Sequence, residues 1–133
     1  MSIKSVYKKI RFYVRDVFHN KKQRNSLRNS NFSLITSDCT GGCVAKDLRV
    51  RMNSPTRNFY FNADDYIKFC KNLDYYLTLQ PELYTGNYSG EGSEYLMASL
   101  GDLKMFLVHY LSVEQCRDEW IRRRERVNKD NLF

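Results

Sequence analysis

Asn31-Phe32-Ser33-Leu34-Ile35-Thr36-Ser37-Asp38-Cys39-Thr40-Gly41-Gly42 decides the reading of this 133-residue chain. Phe32 to Thr36 is apolar and β-branched between polar neighbours, the pattern of a short strand. Ser37 to Thr40 breaks that pattern, and Gly41-Gly42 lets a backbone turn tightly or come close to a ligand. From Cys43 onward, Val44, Ala45 and Leu48 recur at helical spacing, which predicts a short helix over about residues 43–48. Open α/β sheets bind ligands beyond the carboxyl ends of their strands, beside helix N-termini. Asp38, Cys39, Gly41 and Gly42 are therefore the first candidate site. The glycines would bring backbone to a phosphate, and Cys39 would be a nucleophile or a pocket-lining thiol.

Upstream, residues 2–28 read as one helix. Ile3, Val6, Tyr7, Ile10, Tyr13, Val14 and Val17 form an apolar stripe at spacings of three and four. The net charge of +7 is concentrated in this leader, where nine basic side chains face one acid, Asp16, so the remainder is close to neutral. That distribution argues against a nucleic-acid-binding surface spread over the whole fold, and no nucleic acid is expected as a partner. Such a helix can pack its stripe on the domain, or lie in the interface of an anionic membrane. The division expected is residues 1–29 as basic helix and linker and residues 30–133 as an α/β domain.

Downstream, Asn53-Ser54-Pro55-Thr56 is a turn. Residues 57–61 alternate as a second strand, with Phe59 and Phe61 on one face and Tyr60 on the other. Asn62 caps a helix whose stripe is Ala63, Tyr66, Ile67, Cys70, Leu73 and Leu77, stopped by Pro81. Gly86, Asn87, Ser89, Gly90 and Gly92 make a long loop, either a lid or an ordinary surface connection. Asn87-Tyr88-Ser89 has the glycosylation pattern, which means nothing without a secretory signal. Residues 95–100 and 103–110 are two strands joined by Gly101-Asp102, a hairpin dipeptide. The second ends in His109, the one candidate general base of the domain. Ser112 and Gln115 make a capping-box start for a last helix with Val113, Cys116, Trp120 and Val127 on one side. Its arginines, including Arg122, Arg123 and Arg126, form either a solvated basic face or an anion clamp. Asn131-Leu132-Phe133 looks like the start of a further strand. A sheet halted there is expected to be incomplete, with an exposed apolar face prone to self-association.

The composition, 42% hydrophobic and 28% charged, is globular. No apolar run reaches the roughly 20 residues of a membrane span, and the basic N-terminus lacks the apolar core of a secretory signal. The expected location is cytoplasmic, with peripheral contact at the inner face of the cell membrane. Cys39, Cys43, Cys70 and Cys116 have no C-x-x-C pairing, so buried reduced thiols are expected, two of them on helical core faces. No metal site and no cofactor is called for. The chain has neither a P-loop nor a Rossmann glycine triplet, and the residue six after Cys39 is Ala45, not a phosphatase arginine. The fold class expected is α/β: a small, mostly parallel three-layer sheet with flanking helices and a β-hairpin, preceded by the basic amphipathic helix.

The series Phe32-Ser33-Leu34-Ile35-Thr36-Ser37-Asp38-Cys39-x-Gly41-Gly42, then Asn53-Ser54-Pro55-Thr56, then Ala63-Asp64-Asp65-Tyr66-Ile67-Lys68-Phe69, resembles a bacterial family. The tail His109-Tyr110, Trp120, Arg122-Arg123, Arg126 and Asp130-Asn131-Leu132-Phe133 resembles it too. That family is classed as a domain of unknown function, its members labelled exopolysaccharide or capsular polysaccharide biosynthesis proteins. Its members carry an aromatic residue where this chain has Thr40, and continue beyond the Asn-Leu-Phe, so the chain resembles their front part. The resemblance implies an α/β fold and a place beside glycosyltransferases in surface-sugar assembly. It adds Asn53 and Ser54 to the expected binding set for a sugar phosphate or nucleotide sugar. Two functions are expected from this: binding or transfer of such a group at the 39–42 turn, or a non-enzymatic adaptor docking a polysaccharide assembly complex at the membrane.

Overall fold

The computed structural model describes residues 3–86 and 95–133; the glycine-rich loop expected at 86–92 falls outside them apart from Gly86. The leader is helical as expected. Helix α1 (Ile3–Val14), a π-helical segment (Arg15–Asn20) and α2 (Lys21–Ser26) run together as one rod, since Val14, Asn20 and Lys21 all keep right-handed helical angles. Helix α3 (Thr40–Leu48) starts a turn earlier than its apolar spacing suggested, so Gly41 and Gly42 lie inside its first turn. It ends on Arg49, which adopts the left-handed conformation usual for glycine (φ 56°) while Val50 N–H donates to the Ala45 carbonyl at 3.0 Å.

The single helix expected after Asn62 is two, α4 (Ala63–Lys71) and α5 (Leu73–Thr78), broken at Asn72. Asn62 caps it as expected, its side chain accepting from Asp65 N–H at 2.8 Å. The buried face overlaps the predicted stripe in part, at Leu77 and at Tyr66 and Leu73, which pack partly buried against the core. Ile67 and Cys70 are exposed, while Asp65, Phe69, Tyr76 and Leu77 are buried. Burial of Asp65 has a polar reason, because its carboxylate accepts Lys104 N–H from the sheet at 3.2 Å.

Strands β1 (Glu82–Leu83), β2 (Leu96–Leu100) and β3 (Leu103–Leu107) form a sheet in the order β1-β2-β3, antiparallel throughout. The expected hairpin is present, with Gly101 at φ 63° in its turn. The expectation of a mostly parallel three-layer sheet is corrected. A two-residue turn can only return the chain antiparallel, and β1 joins β2 in the same sense. Among the described residues, parallel pairing survives at one place, where Ser33 N–H donates to the Asn131 carbonyl (3.0 Å) and Phe133 N–H to the Ser33 carbonyl (2.9 Å). The expected strand at 57–61 is reduced to a bridge in which Tyr60 and Phe106 exchange backbone hydrogen bonds of 3.0 and 2.9 Å.

Register puts Leu96, Ala98 and Leu100 opposite Leu107, Met105 and Leu103, and this face carries the core. Phe59, Phe61, Phe69 and Trp120 pack on it, with Trp120 in α6 (Val113–Arg124) and its indole N–H donating to the Leu79 carbonyl at 3.0 Å. Ser112 caps α6 through Gln115 N–H at 3.1 Å. Asp102, in the hairpin turn, accepts from Lys68 of α4 and Tyr76 of α5 at 2.9 and 2.8 Å, fixing both helices to one end of the sheet.

Phe69 is fully buried among these rings, so Phe69→Ala removes its contacts and leaves a cavity. The expected loss is about 3–5 kcal/mol, read by urea unfolding through the fluorescence of the sole tryptophan, Trp120. An unchanged midpoint would place Phe69 outside the core.

Candidate functional site

The turn before α3 is built by its own side chains. Thr36 Oγ1 donates to the Asp38 carbonyl and Thr40 N–H donates to Asp38 Oδ1, both at 2.8 Å, an Asx turn that leads the chain into the helix. The hydroxyl and the N–H of Thr40 hold the Asp38 carboxyl below its ordinary range, so it is a carboxylate at neutral pH. Cys39 follows at the helix N-cap position and its side chain caps nothing. Burial pushes the Cys39 thiol up, the Asp38 charge pushes it further, and an N–H from Asn58 opposes them. Asp38, Cys39, Thr40, Cys43, Tyr60 and Val108 line an open depression of about 480 Å³.

Asn58 is the unforeseen member of this site. It takes the left-handed conformation (φ 68°), which asparagine tolerates better than most residues. In that conformation its N–H faces Cys39 while its carbonyl accepts His109 N–H at 3.1 Å. Cys39 and His109 are thus tied to opposite ends of one peptide residue. The His109 side chain is exposed, and its tie to Asn58 is through backbone alone.

The two glycines divide. Gly41 is buried, and a Cβ there would sit 2.8 Å from Thr36 Oγ1 and 3.1 Å from Met52 Cε, so its hydrogen permits close packing of α3 on the turn. Gly42 has nothing within 4 Å of that position, leaving its side of the first helical turn open. Ser54 is fully buried, its hydroxyl paired with Thr56 Oγ1 at 2.9 Å, and Thr56 Oγ1 in turn accepts Thr36 N–H at 3.1 Å. The hydroxyl foreseen as a ligand contact braces the turn instead.

The arginines of α6 and its end also separate. Arg123 is buried, donating to Tyr110 Oη at 2.9 Å and paired with Glu119. Arg122 is exposed. Arg126 meets Asn53 in a second open groove, with Arg49 and Arg51, that shares no lining residue with the Cys39 depression. The predicted site is therefore two surfaces. Asn58, Tyr60, Val108 and Arg51 belong to them and were not foreseen. Among these, only the tolerance of asparagine for positive φ was a signal in the sequence. No group of His, Cys, Asp and Glu able to hold a metal occurs among the described residues.

Residues 9–133 match the family described as Domain of unknown function (DUF1919), and the chain belongs to it. A Haemophilus influenzae relative described as an uncharacterized protein is 32% identical over 129 residues. The match covers 97% of this chain and 58% of the relative's length.

Two measurements check the site. Gly41→Ala forces a methyl against Thr36 and is expected to lower stability by about 1–3 kcal/mol. Gly42→Ala, in open space within a helix, should be neutral or stabilising by up to about 1 kcal/mol. Equal losses at both would refute the division. In a variant with Cys43, Cys70 and Cys116 replaced by serine or alanine, the raised thiol of Cys39 predicts slow alkylation by iodoacetamide at neutral pH. Its midpoint should lie above the ordinary thiol value, and fast reaction at pH 7 would mean an activated thiolate.

Proposed function

We propose that the chain serves bacterial surface-polysaccharide assembly as a non-enzymatic adaptor, held against the cytoplasmic face of the membrane by its leader helix. The observation that carries this reading is the exposure of α1. It buries no residue, and Ile3, Tyr7 and Tyr13 are 89, 68 and 70% exposed. Val6, Ile10 and Val14 of the same stripe are exposed as well, and Phe18 follows them. Lys4, Lys8, Lys9 and Arg11 lie among these residues. An apolar stripe flanked by cations suits the interface of an anionic bilayer, where rings enter the headgroup layer and ammonium groups meet phosphates. No helix of the described residues is long and apolar enough to cross a membrane, so contact through α1 would be peripheral. The polysaccharide role itself comes from the sequence resemblance.

A second reading is favoured by the depression beside Cys39. It has room for a sugar ring, and Gly42 leaves the adjoining helical turn accessible. On that reading the 39–42 turn binds a sugar phosphate or nucleotide sugar, or transfers a group derived from one. The protonated Cys39 thiol favours pocket lining over nucleophilic attack, since the thiolate is the reactive form.

Flotation with vesicles containing anionic lipid separates these readings. The adaptor predicts binding at low salt that is lost at high salt, and lost on combining Lys4→Gln, Lys8→Gln and Arg11→Gln. At roughly 1 kcal/mol per cation, the three together should weaken partitioning about a hundredfold. Cys39→Ser should leave it unchanged. Full-length protein that stays unbound at low salt would remove the membrane role.

A further inference from the structure

The second groove has a chemistry of its own. Asn31, Arg49, Arg51, Asn53 and Arg126 are among the residues that line its volume of about 480 Å³, and no carboxylate is among them. Arg49 is shared with Asp16, whose carboxylate it meets at 2.9 Å from outside the groove. Arg51 is exposed. Arg126 is the group in tension, because its Nε is buried and has no hydrogen-bond partner. Burial pushes the Arg126 guanidinium below its ordinary value, and the charges of Arg51, Arg122 and Arg123 push it further. Native proteins rarely bury a charged donor without an acceptor, so the arrangement is unfavourable as it stands.

The walls around it are fixed. The Asn31 carbonyl accepts from Asn128 Nδ2 at 2.8 Å and Asn131 Nδ2 at 3.1 Å, and Asn31 Oδ1 accepts from Asn53 Nδ2 at 3.4 Å. The left-handed Arg49 turns the chain out of α3 so that Arg51 and Asn53 face the end of α6 across the groove. We propose that this groove binds a phosphoryl group, a phosphate monoester or a pyrophosphate, with Arg51 and Arg126 as the paired cations and Asn53 as a neutral donor. A dianion answers two guanidinium groups where a single carboxylate would leave net positive charge, and the planar guanidinium matches phosphate oxygens two at a time. The inference is independent of α1, which contributes nothing to the groove's lining. A soluble sugar or nucleotide phosphate and a lipid phosphomonoester headgroup present the same chemistry.

The test is calorimetric titration of the full chain with sodium pyrophosphate at fixed ionic strength. Saturable binding is expected, weakened roughly tenfold or more by Arg51→Gln and by Arg126→Met. Arg126→Met keeps an apolar stem and removes the buried unpartnered donor, so its melting temperature should be no lower than that of the unsubstituted protein. Should it fail to fold, the exposed Arg51 provides the deciding variant. Absence of saturation, equal affinity in Arg51→Gln, or an identical response to sodium chloride would each overturn the proposal. Vesicles with phosphatidic acid, added to the pyrophosphate-loaded protein carrying Lys4→Gln, Lys8→Gln and Arg11→Gln, distinguish the sources. Displacement of pyrophosphate supports the groove as a headgroup site, and retention supports it as a site for a soluble ester.

Discussion

Two backbone hydrogen bonds, exchanged between Tyr60 and Phe106, join the regular part of this molecule to the irregular part that bears its surfaces. On one side of the bridge lies the β2–β3 hairpin, regular and covered by α4 and α6. On the other, chain segments with no sheet of their own are added one to the next: Phe61 N–H donates to the Ser37 carbonyl at 2.8 Å, and Ile35 N–H to that of Phe133 at 2.7 Å. Alternation about Tyr60 sends Phe59 and Phe61 into the core, while the Tyr60 ring stacks on Phe106 at 4.4 Å on the other face. The same alternation places Tyr60 and Val108 in the wall of the Cys39 depression. Asn58 sits two residues before the bridge, so its left-handed turn and the bridge position each other.

What the sequence disclosed follows the range of the interactions that set each element. The Asn62 and Ser112 caps, the Gly101-Asp102 turn and the helical leader depend on neighbours within a few residues, and all were legible. The sense of the sheet was not, because Phe32 to Thr36 reads equally as a parallel strand or as an edge segment with a single bridge. Which it becomes is decided by Asn131 and Phe133, about 100 residues away. The face of α4 was misread in part for a related reason. Ile67 is as apolar in sequence as Phe69 but is exposed, while Tyr66 packs against the core and the Asp65 carboxylate accepts Lys104 N–H on the buried side.

The arginines near the C-terminus show how little a charge run says by itself. Arg117 and Arg124 donate to backbone carbonyls, of Pro81 in one case and of Leu77, Thr78 and Leu79 in the other. Arg124 thereby satisfies the end of α5, whose last carbonyls lack helical partners. Arg123 is neutralised by Glu119 against Tyr110, whose hydroxyl burial pushes well above its ordinary value. Only Arg122 and Arg126 keep the character the run suggested, and they differ, one in solvent and one with its Nε buried. A candidate-site reading that treats such residues as equivalent joins surfaces that the fold keeps apart.

The leader helix reverses the usual assignment of faces. A helix that packs on its own domain buries its apolar stripe and leaves its charges in water. Here the docked part is polar: Asp16, the one acid of the segment, accepts from Arg24 at 2.7 Å and Arg49 at 2.9 Å, Arg15 grips Asp47, and Asn20 is buried. Arg24 also donates to the Asp47 carbonyl at the end of α3, where a cation complements the helix dipole. Among the leader's rings, Phe12 meets the domain through Lys46, with the leader's own Arg15 over the same ring. The π-helical segment falls where the docked and undocked halves meet, and a widened turn there shifts the phase of one half against the other. Attachment by charge leaves Ile3, Ile10, Tyr13 and Phe18 outward. A sequence needing only a packed helix would have had its simplest solution in the opposite arrangement, with the same stripe turned inward.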